Sequence, residues 1–522
     1  SYNINYLKES AANLAEIHSV SATSKKIRQI KPILDDSKKI LVNAYRVLSG
    51  LAKQNKDLSI AAEWLIDNFY IIQEQIVQVD EDFPRQFQRN VPALASGEHE
   101  GLPRVFELTL NYLMHTDNLV DEEALIHYIQ HYQQYETLQL GEIWAIPIMI
   151  RLRLIQNLSE KASRILDRKE IWKKANELIS KKIENDIHEP GKLISSLSDW
   201  IEKYRNTDEN VLALIELYNQ LQQAGLLQEE QKRWFKYKFK QLDLSIDEAM
   251  RIDAQRQSRL QVSIQNAVVT LRESSETNWS DFVEECSIVD QILRLDPYGA
   301  YPKMDFETRD RYRRVVERIS RHSKQSETDV AEGVLILAED QGRLNEDGNE
   351  DLDSLFNRSA VKEHIGYFLV GKGYRKFVSD LGYRMPVRER FQNWFEKKPF
   401  WYISSIIIHT IVLMVILWFV TDAFSESTFI ATSVLLVSLF PALDLSVSAV
   451  NRFFVFLLPP RKLNKMDFRD SIPDSSRTLV VVPTMFSSAD DVRDQLNRLE
   501  IRSLANPHPG LQFALLSDFK DS

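Results

Sequence analysis

Two uncharged apolar runs lie almost back to back late in the chain, and they limit what the rest can be. The first, Phe400–Val420, is 21 residues without a charge. At helical rise that is about 30 Å, roughly the hydrocarbon thickness of a bilayer. The second begins near Ser427 and holds 17 uncharged residues, to Leu443, before Asp444 interrupts it. The pair predicts a membrane hairpin, with transmembrane helices at 400–421 and 427–445.

The flanks orient the hairpin. Arg384, Arg388, Arg390, Lys397 and Lys398 precede it; Asn451-Arg452 and Arg461-Lys462 follow it. The connection Thr421–Glu426 carries Asp422 and Glu426 but no Lys or Arg. The positive-inside rule then expects both ends in the cytoplasm and the acidic turn outside. Asp444 has two readings. An ionisable group inside a membrane is a functional suspect. At the cytoplasmic boundary it would instead end the second span, and 446–460 would form an interfacial helix with Arg452 snorkelling. The boundary reading is the expectation adopted here, with Pro459-Pro460 closing that helix.

Composition divides the chain. Residues 1–398 are charged and helix-forming in character, and 15 glycines in 522 residues suit long helices. The net charge of −10 argues against a nucleic-acid partner, which needs a basic face. Cys286 is the one cysteine, so neither an intramolecular disulfide nor a thiol metal cluster can form. No basic segment followed by an apolar one opens the chain, and the N-terminal part is expected to stay in the cytoplasm.

Residues 1–338 read as one cytoplasmic helical domain. In Ala61–Val79, Leu65, Phe69, Ile72 and Ile76 recur at steps of three and four, a single apolar stripe. Pro84, Pro92, Gly97, Gly101 and Pro103 then punctuate a long irregular stretch. Its Arg85, Arg89 and Arg104 either meet an acidic partner or are solvated. Breaks fall at Glu189-Pro190-Gly191 and at Asp296-Pro297-Tyr298-Gly299. A helix over Arg309–Ser323 carries six arginines. Residues 339–398 read as a linker and pre-membrane segment, with acidic Glu339–Asp353 as a mobile connection.

After the hairpin, Leu479–Thr484 is a short β-branched run, as expected of a buried parallel strand. Ser487–Asp491 offers N-cap residues for a helix over Val492–Leu504. Leu511–Leu516 reads as a second strand, giving a βαβ unit over 478–522. Ligands in open α/β sheets bind beyond the carboxyl ends of the strands, here Pro483-Thr484 and Ser517-Asp518. Asp518 either accepts from a nucleoside base or ribose or caps a turn. Two strands cannot bury a core alone, so the chain reads as the N-terminal piece of something longer.

Several other patterns compete for chemistry. Gly366–Gly373 nearly spells a phosphate loop, but Gly373 replaces the magnesium-binding hydroxyl and no buried strand precedes it. Glu123, His127 and His131 share a helix face at metal-ligand spacing, beside tyrosines that suit ordinary packing. Glu63, Asp67, Glu142 and Asp305 are either paired carboxylates of the glycosidase kind or caps and ion-pair partners of Arg151, Arg309 or Arg311. Trp64, Trp144 and Trp279 either stack on sugar rings or fill a core.

Certain stretches carry a resemblance. They are Ala61–Asn68, Pro92–Gly97, Gly141–Met149, Met304–Tyr312, His364–Tyr367, Leu479–Thr484 and Phe513–Phe519. Together they make the chain resemble the N-terminal part of the bacterial cyclic β-1,2-glucan synthases, large inner-membrane proteins. The resemblance implies a mainly α protein: a cytoplasmic helical domain, a transmembrane hairpin and the first βαβ of a GT-A-like glycosyltransferase domain. It implies polymerisation of glucose from UDP-glucose into a β-1,2 chain that later domains trim and cyclise. Membrane lipids, UDP-glucose and the growing glucan are then the partners. Pro483, Thr484 and Asp518 are the implied nucleotide-sugar contacts, Asp518 as the first aspartate of that site. The metal-binding aspartates and the catalytic base would lie past Ser522, so the divalent cation (Mg or Mn) belongs to the complete domain. No metal and no catalytic residue is expected within residues 1–522. The other reading, from a different class, is a non-catalytic membrane-anchored scaffold or regulatory region.

Overall fold

The computed structural model describes residues 4–21, 30–54, 58–82, 91–185, 190–204, 207–346, 360–396, 400–424, 428–458 and 462–519. The chain forms two compact units, Ser1–Ile288 and Val289–Ser522. The sequence reading ran the helical domain on to residue 338. The division falls earlier, between separate buried clusters that end at Cys286 and begin at Val289.

The first unit is helical. It contains α1 (Ile4–Ile17), α2 (Ile30–Lys53), α3 (Ile60–Asp67), α4 (Phe69–Asp82), α5 (Arg104–His115) and α6 (Glu122–Tyr132). Then come α7 (Leu140–Asn185), α8 (Pro190–Ile201), α9 (Thr207–Gln223), α10 (Glu229–Lys240), α11 (Ile246–Glu276) and α12 (Ser280–Cys286). The Leu65, Phe69, Ile72, Ile76 stripe is buried as expected, although Asn68 breaks it into α3 and α4. Ser59 and Asp121 cap α3 and α6 by accepting from the N–H three residues on. The 46-residue α7 is the spine. Its first half, with Met149 and Ile155, packs in a core with Leu41, Leu48, Val105 and Tyr112. Its second half, with Ile171 and Ala175, packs in another with Leu214, Leu217, Phe235 and Phe239. Sequence patterning missed a two-residue pairing: β1 (Val20–Ser21) lies antiparallel to β2 (Ala93–Leu94), inside what read as an irregular stretch.

The second unit opens with α13 (Ile288–Leu293), α14 (Phe306–His322), α15 (Glu327–Glu346), α16 (Gly366–Leu369), α17 (Tyr374–Asp380) and α18 (Val387–Glu396). Leu293, Tyr301, Tyr312, Val316, Val334, Ile365 and Phe377 form its core. Asp305 caps α14 through the Thr308 N–H at 2.9 Å. Helix α15 continues to Glu346, so the acidic stretch begins as helix rather than as a connection; residues 347–359 lie outside the described residues.

Two helices then follow that are long and apolar enough to cross a membrane, α19 (Phe400–Phe424) and α20 (Thr428–Leu457). Few of their side chains are buried, as lipid-facing surfaces require. They pack antiparallel: Tyr402 bonds Asn451, and His409 Nδ1 meets Ser446 Oγ at 3.0 Å. Trp394, Phe395, Trp401, Tyr402 and Phe454 cluster at the end that carries the basic residues. Helix α20 runs unbroken through Asp444, so no separate interfacial helix starts at residue 446. Helical hydrogen bonding continues because the polar side chain leaves the backbone ladder intact. Pro459-Pro460 lies outside the described residues.

The chain ends in β3 (Thr478–Phe486), α21 (Ala489–Ala505) and β4 (Leu511–Phe519). The strands are parallel, in register from Thr478↔Leu511 to Phe486↔Phe519. Ser488 caps α21 through the Asp491 N–H at 3.2 Å.

Candidate functional site

Of the three implied nucleotide-sugar residues, the strand pair brings Pro483 and Asp518 to one face and turns the Thr484 side chain to the other. Pro483 pairs with Leu516, Thr484 with Ser517, and Met485 with Asp518. Each strand reaches beyond its expected end, to Phe486 and Phe519, so Asp518 is a strand residue and not a turn cap. Alternation sorts the side chains. Val480, Val482, Thr484 and Phe486 share one face and are half-buried or buried. Leu479, Val481, Pro483 and Met485 share the other and are exposed. Register puts Asp518 on that second face, beside Met485, with its carboxylate exposed. An exposed carboxylate there can accept hydrogen bonds from ribose hydroxyls or a base N–H.

A strap leads from the hairpin to this strand pair, and α14 grips it. Asp305 N donates to Lys465 O at 3.0 Å, Asp467 N to Lys303 O at 2.8 Å and Lys465 N to Thr308 Oγ1 at 3.0 Å. Arg311 reaches the Lys462 carbonyl and Asn464 Oδ1. Behind the strap runs a chain of side chains. Asn464 Nδ2 donates to Tyr312 Oη at 2.9 Å, and Tyr312 Oη lies 3.2 Å from His364 Nε2. His364 Nδ1 is 2.8 Å from Asp296 Oδ2. One assignment satisfies all three contacts: Nδ1–H donates to Asp296, and Nε2 accepts from Tyr312. Asp296 is fully buried and also accepts from the N–H groups of Ala300, Tyr301 and Ile365. Burial would raise its carboxyl, but the His364 and backbone bonds outweigh that and hold it below the ordinary value. Burial first, then the Asp296 charge, pushes Tyr312 up to about 12, so its phenol stays protonated. Gly366 is required here: a Cβ would come within 2.4 Å of both Tyr312 Oη and His364 Nε2.

Sequence reasoning marked the 304–312 and 364–367 stretches but not what joins them. In the sequence Asp296 marks a break, and nothing distinguishes Asn464. The available signal was a helix break carrying Asp-Pro and a short polar strap directly after an apolar span.

The other candidates resolve into structure. Arg104 is buried and clamped by Glu142, with Nε–Oε1 2.7 Å and Nη2–Oε2 2.8 Å, so it does not face a partner. Arg85 and Arg89 lie outside the described residues. Glu142 therefore pairs with Arg104, while Arg151 takes Asp82 at 2.7 Å. Glu63 and Asp67 are exposed on α3. Trp64, Trp144 and Trp279 pack against the first core. Glu123 and His127 approach only to 3.9 Å on an exposed face, and His131 packs edge-on to Tyr135. Among the described residues, no group of three or more His, Cys, Asp or Glu is placed to hold a metal ion. Gly366–Leu369 is a short helix, and Gly371 and Gly373 close against Tyr367.

Some charged and titratable groups of the first unit are paired inside its fold. His18 donates to or accepts from Tyr132 Oη at 2.8 Å; burial, then Arg104, lowers its pKa to about 4. Arg168 joins Glu216 at 2.8 Å and Asp253 at 2.7 Å, beside a cleft of about 980 Å³ lined by Lys161, Trp172 and Arg259 among others. Burial raises the Cys286 thiol well above its usual value, so it is unreactive.

Compared with known proteins, the chain is 28% identical over 490 residues to the cyclic beta-(1,2)-glucan synthase NdvB of Rhizobium meliloti. The chain is a relative of this glucan synthase. The match takes in 93% of the chain but only 17% of the synthase, so the chain spans about a sixth of its relative's length. No family model matches. The relationship, with the two apolar helices, supports association with a membrane.

Proposed function

We propose that the chain is the membrane-anchoring N-terminal portion of a glycosyltransferase that polymerises glucose from UDP-glucose into β-1,2-glucan. One observation carries this reading: the similarity to a glucan synthase runs along 93% of the chain rather than over one element. The β3–α21–β4 unit supports it as the opening of a GT-A-like nucleotide-sugar domain. In this reading Asp518 accepts from the nucleoside, and Pro483 and Thr484 shape the strand edge beside it. Both ends of the hairpin face the cytoplasm of a bacterial inner membrane, where UDP-glucose is made.

Transfer to a sugar hydroxyl needs a base to take its proton and positive charge on the departing diphosphate. A divalent cation commonly supplies that charge. The described residues do not fit such an ion, since no group of three potential ligands converges. The role assigned to this chain is therefore binding and placement. The strap held by α14 fixes where the strand pair stands relative to the hairpin.

A second reading applies to residues 1–288 alone: a non-catalytic scaffold. Its charged groups support this, because Arg104–Glu142 and Glu216–Arg168–Asp253 neutralise one another inside the fold.

The test uses full-length protein in membrane vesicles with radiolabelled UDP-glucose. Asp518→Ala is expected to abolish incorporation into polymer at unchanged protein level. Undiminished incorporation would contradict the role given to that carboxylate.

A further inference from the structure

The register of the hairpin fixes the depth of Asp444. Tyr402 stands beside Asn451 and His409 beside Ser446. Continuing that antiparallel count puts Asp444 across from Ile411, near the middle of the 22-residue span Phe400–Thr421. That is about 16 Å from Phe400 at helical rise, half of a 30 Å hydrocarbon layer.

Asp444 also faces away from its helical neighbour. Ser446 is fully buried against α19, and two residues turn an α-helix by about 200°. Asp444 is exposed, between Leu443 at 44% and Leu445 at 56%, with Phe440 one turn below at 83%. Among the described residues, Asp444 makes no hydrogen bond or ion pair. Arg452, the next cation along α20, is eight residues away, about 12 Å. Pro441 adds a second acceptor on the same strip: it has no N–H, so the Val437 carbonyl loses its ordinary helical donor.

A carboxylate at mid-bilayer costs about 3 kcal/mol or more if lipid surrounds it. A water-filled path would relieve that cost, but such paths are lined by several polar groups. Here the flanking side chains are Phe440, Leu443 and Leu445. We propose that this strip of α20 docks a further transmembrane helix that presents Lys or Arg at mid-depth to Asp444. An Arg in that place has donors enough for both the carboxylate and the Val437 carbonyl. The pairing requires only that the hairpin cross a bilayer, whatever sugar the α/β unit handles.

The experiment uses full-length protein in its native membrane. A photo-crosslinking phenylalanine analogue in place of Phe440, one turn from Asp444 on the same exposed strip and leaving the carboxylate intact, is expected to yield a crosslinked peptide from an apolar helix bearing Lys or Arg. Asp444→Leu and Asp444→Lys are expected to reduce membrane-assembled protein several-fold, because each leaves the partner's cation unpaired. Asp444→Asn, which retains a hydrogen-bonding oxygen, should lose less. Crosslinks to lipid alone, or to this same hairpin of a second copy, would overturn the proposal. So would an Asp444→Leu protein that assembles as well as the parent, since a leucine suits a lipid-facing position better than an aspartate.

Discussion

Leu41 and Leu65 in the N-terminal helices are completely buried, whereas Leu496, Ile501 and Leu504 on α21 are 51, 66 and 72% exposed. Both regions follow the same local rules. Asp121 caps α6 as Ser488 caps α21, and apolar residues recur at helical spacing in each. They differ in what lies beyond one element. Helix α7 passes through two cores and gives every neighbouring helix an apolar surface to meet. Strands β3 and β4 have one helix between them and nothing described over Leu479, Val481, Met485 and Leu516. Local sequence is enough to form elements; closing a core needs partners from further away. The helical unit stands by its own packing. The strand pair depends on its register, on the strap that holds it and on whatever covers its apolar face.

The contrast breaks most visibly if the buried charges of the helical unit prove dispensable. Glu142→Ala leaves Arg104, 4% exposed, with only the more distant and half-exposed Glu136 carboxylate at 3.5 Å. The expected loss is about 3–5 kcal/mol, read as a lowered urea midpoint of the helical signal. A loss under about 1 kcal/mol would mean that the unit does not rely on this pair.

Acid should weaken the same unit by a little less. The His18 imidazole has its pKa lowered to about 4 from 6.5, burial being the main cause. The unfolded chain therefore binds a proton between pH 6.5 and 4 that the folded chain refuses. Stability is full above pH 6.5 and declines as pH falls toward 4, by on the order of 3 kcal/mol. Replacing His18 with Gln should flatten that part of the pH–stability profile.

The strap sharpens the comparison from the other side. A Cβ at Gly366 would press on Tyr312 and His364. Gly366→Ala should cost about 1–3 kcal/mol and free the strap. The check is trypsin cleavage at Lys462 and Lys465, faster in the variant. Unchanged cleavage would show that the Asp296–His364–Tyr312–Asn464 chain does not hold the strap. The smallest effect belongs to α21: Leu504→Ser removes little buried surface, the side chain being 72% exposed, and should shift this chain's stability by no more than about 0.5 kcal/mol.

Periodicity revealed what is periodic. The Leu65–Ile76 stripe, the two apolar spans and the strand–helix–strand order are visible because side-chain spacing alone encodes them. Partnerships are not encoded in that way. Arg104 read as a loop cation because its carboxylate is 38 residues further along the chain. Asp444 read as a boundary residue because composition shows where charge interrupts an apolar run. It does not show that Tyr402 and His409 set the register against which depth is counted. At the strand pair, residue type pointed to Pro483, Thr484 and Asp518. That Asp518 lies within a strand, on the open face beside Met485, needed the pairing itself.

Hydrogen–deuterium exchange of the membrane-inserted chain addresses the central contrast directly. The account predicts that amides of α2 and the first half of α7 persist on the order of a thousandfold longer than those of α21. Equal protection in α21 would contradict it, because α21 would then have to be packed into a closed core that its exposed leucines do not show.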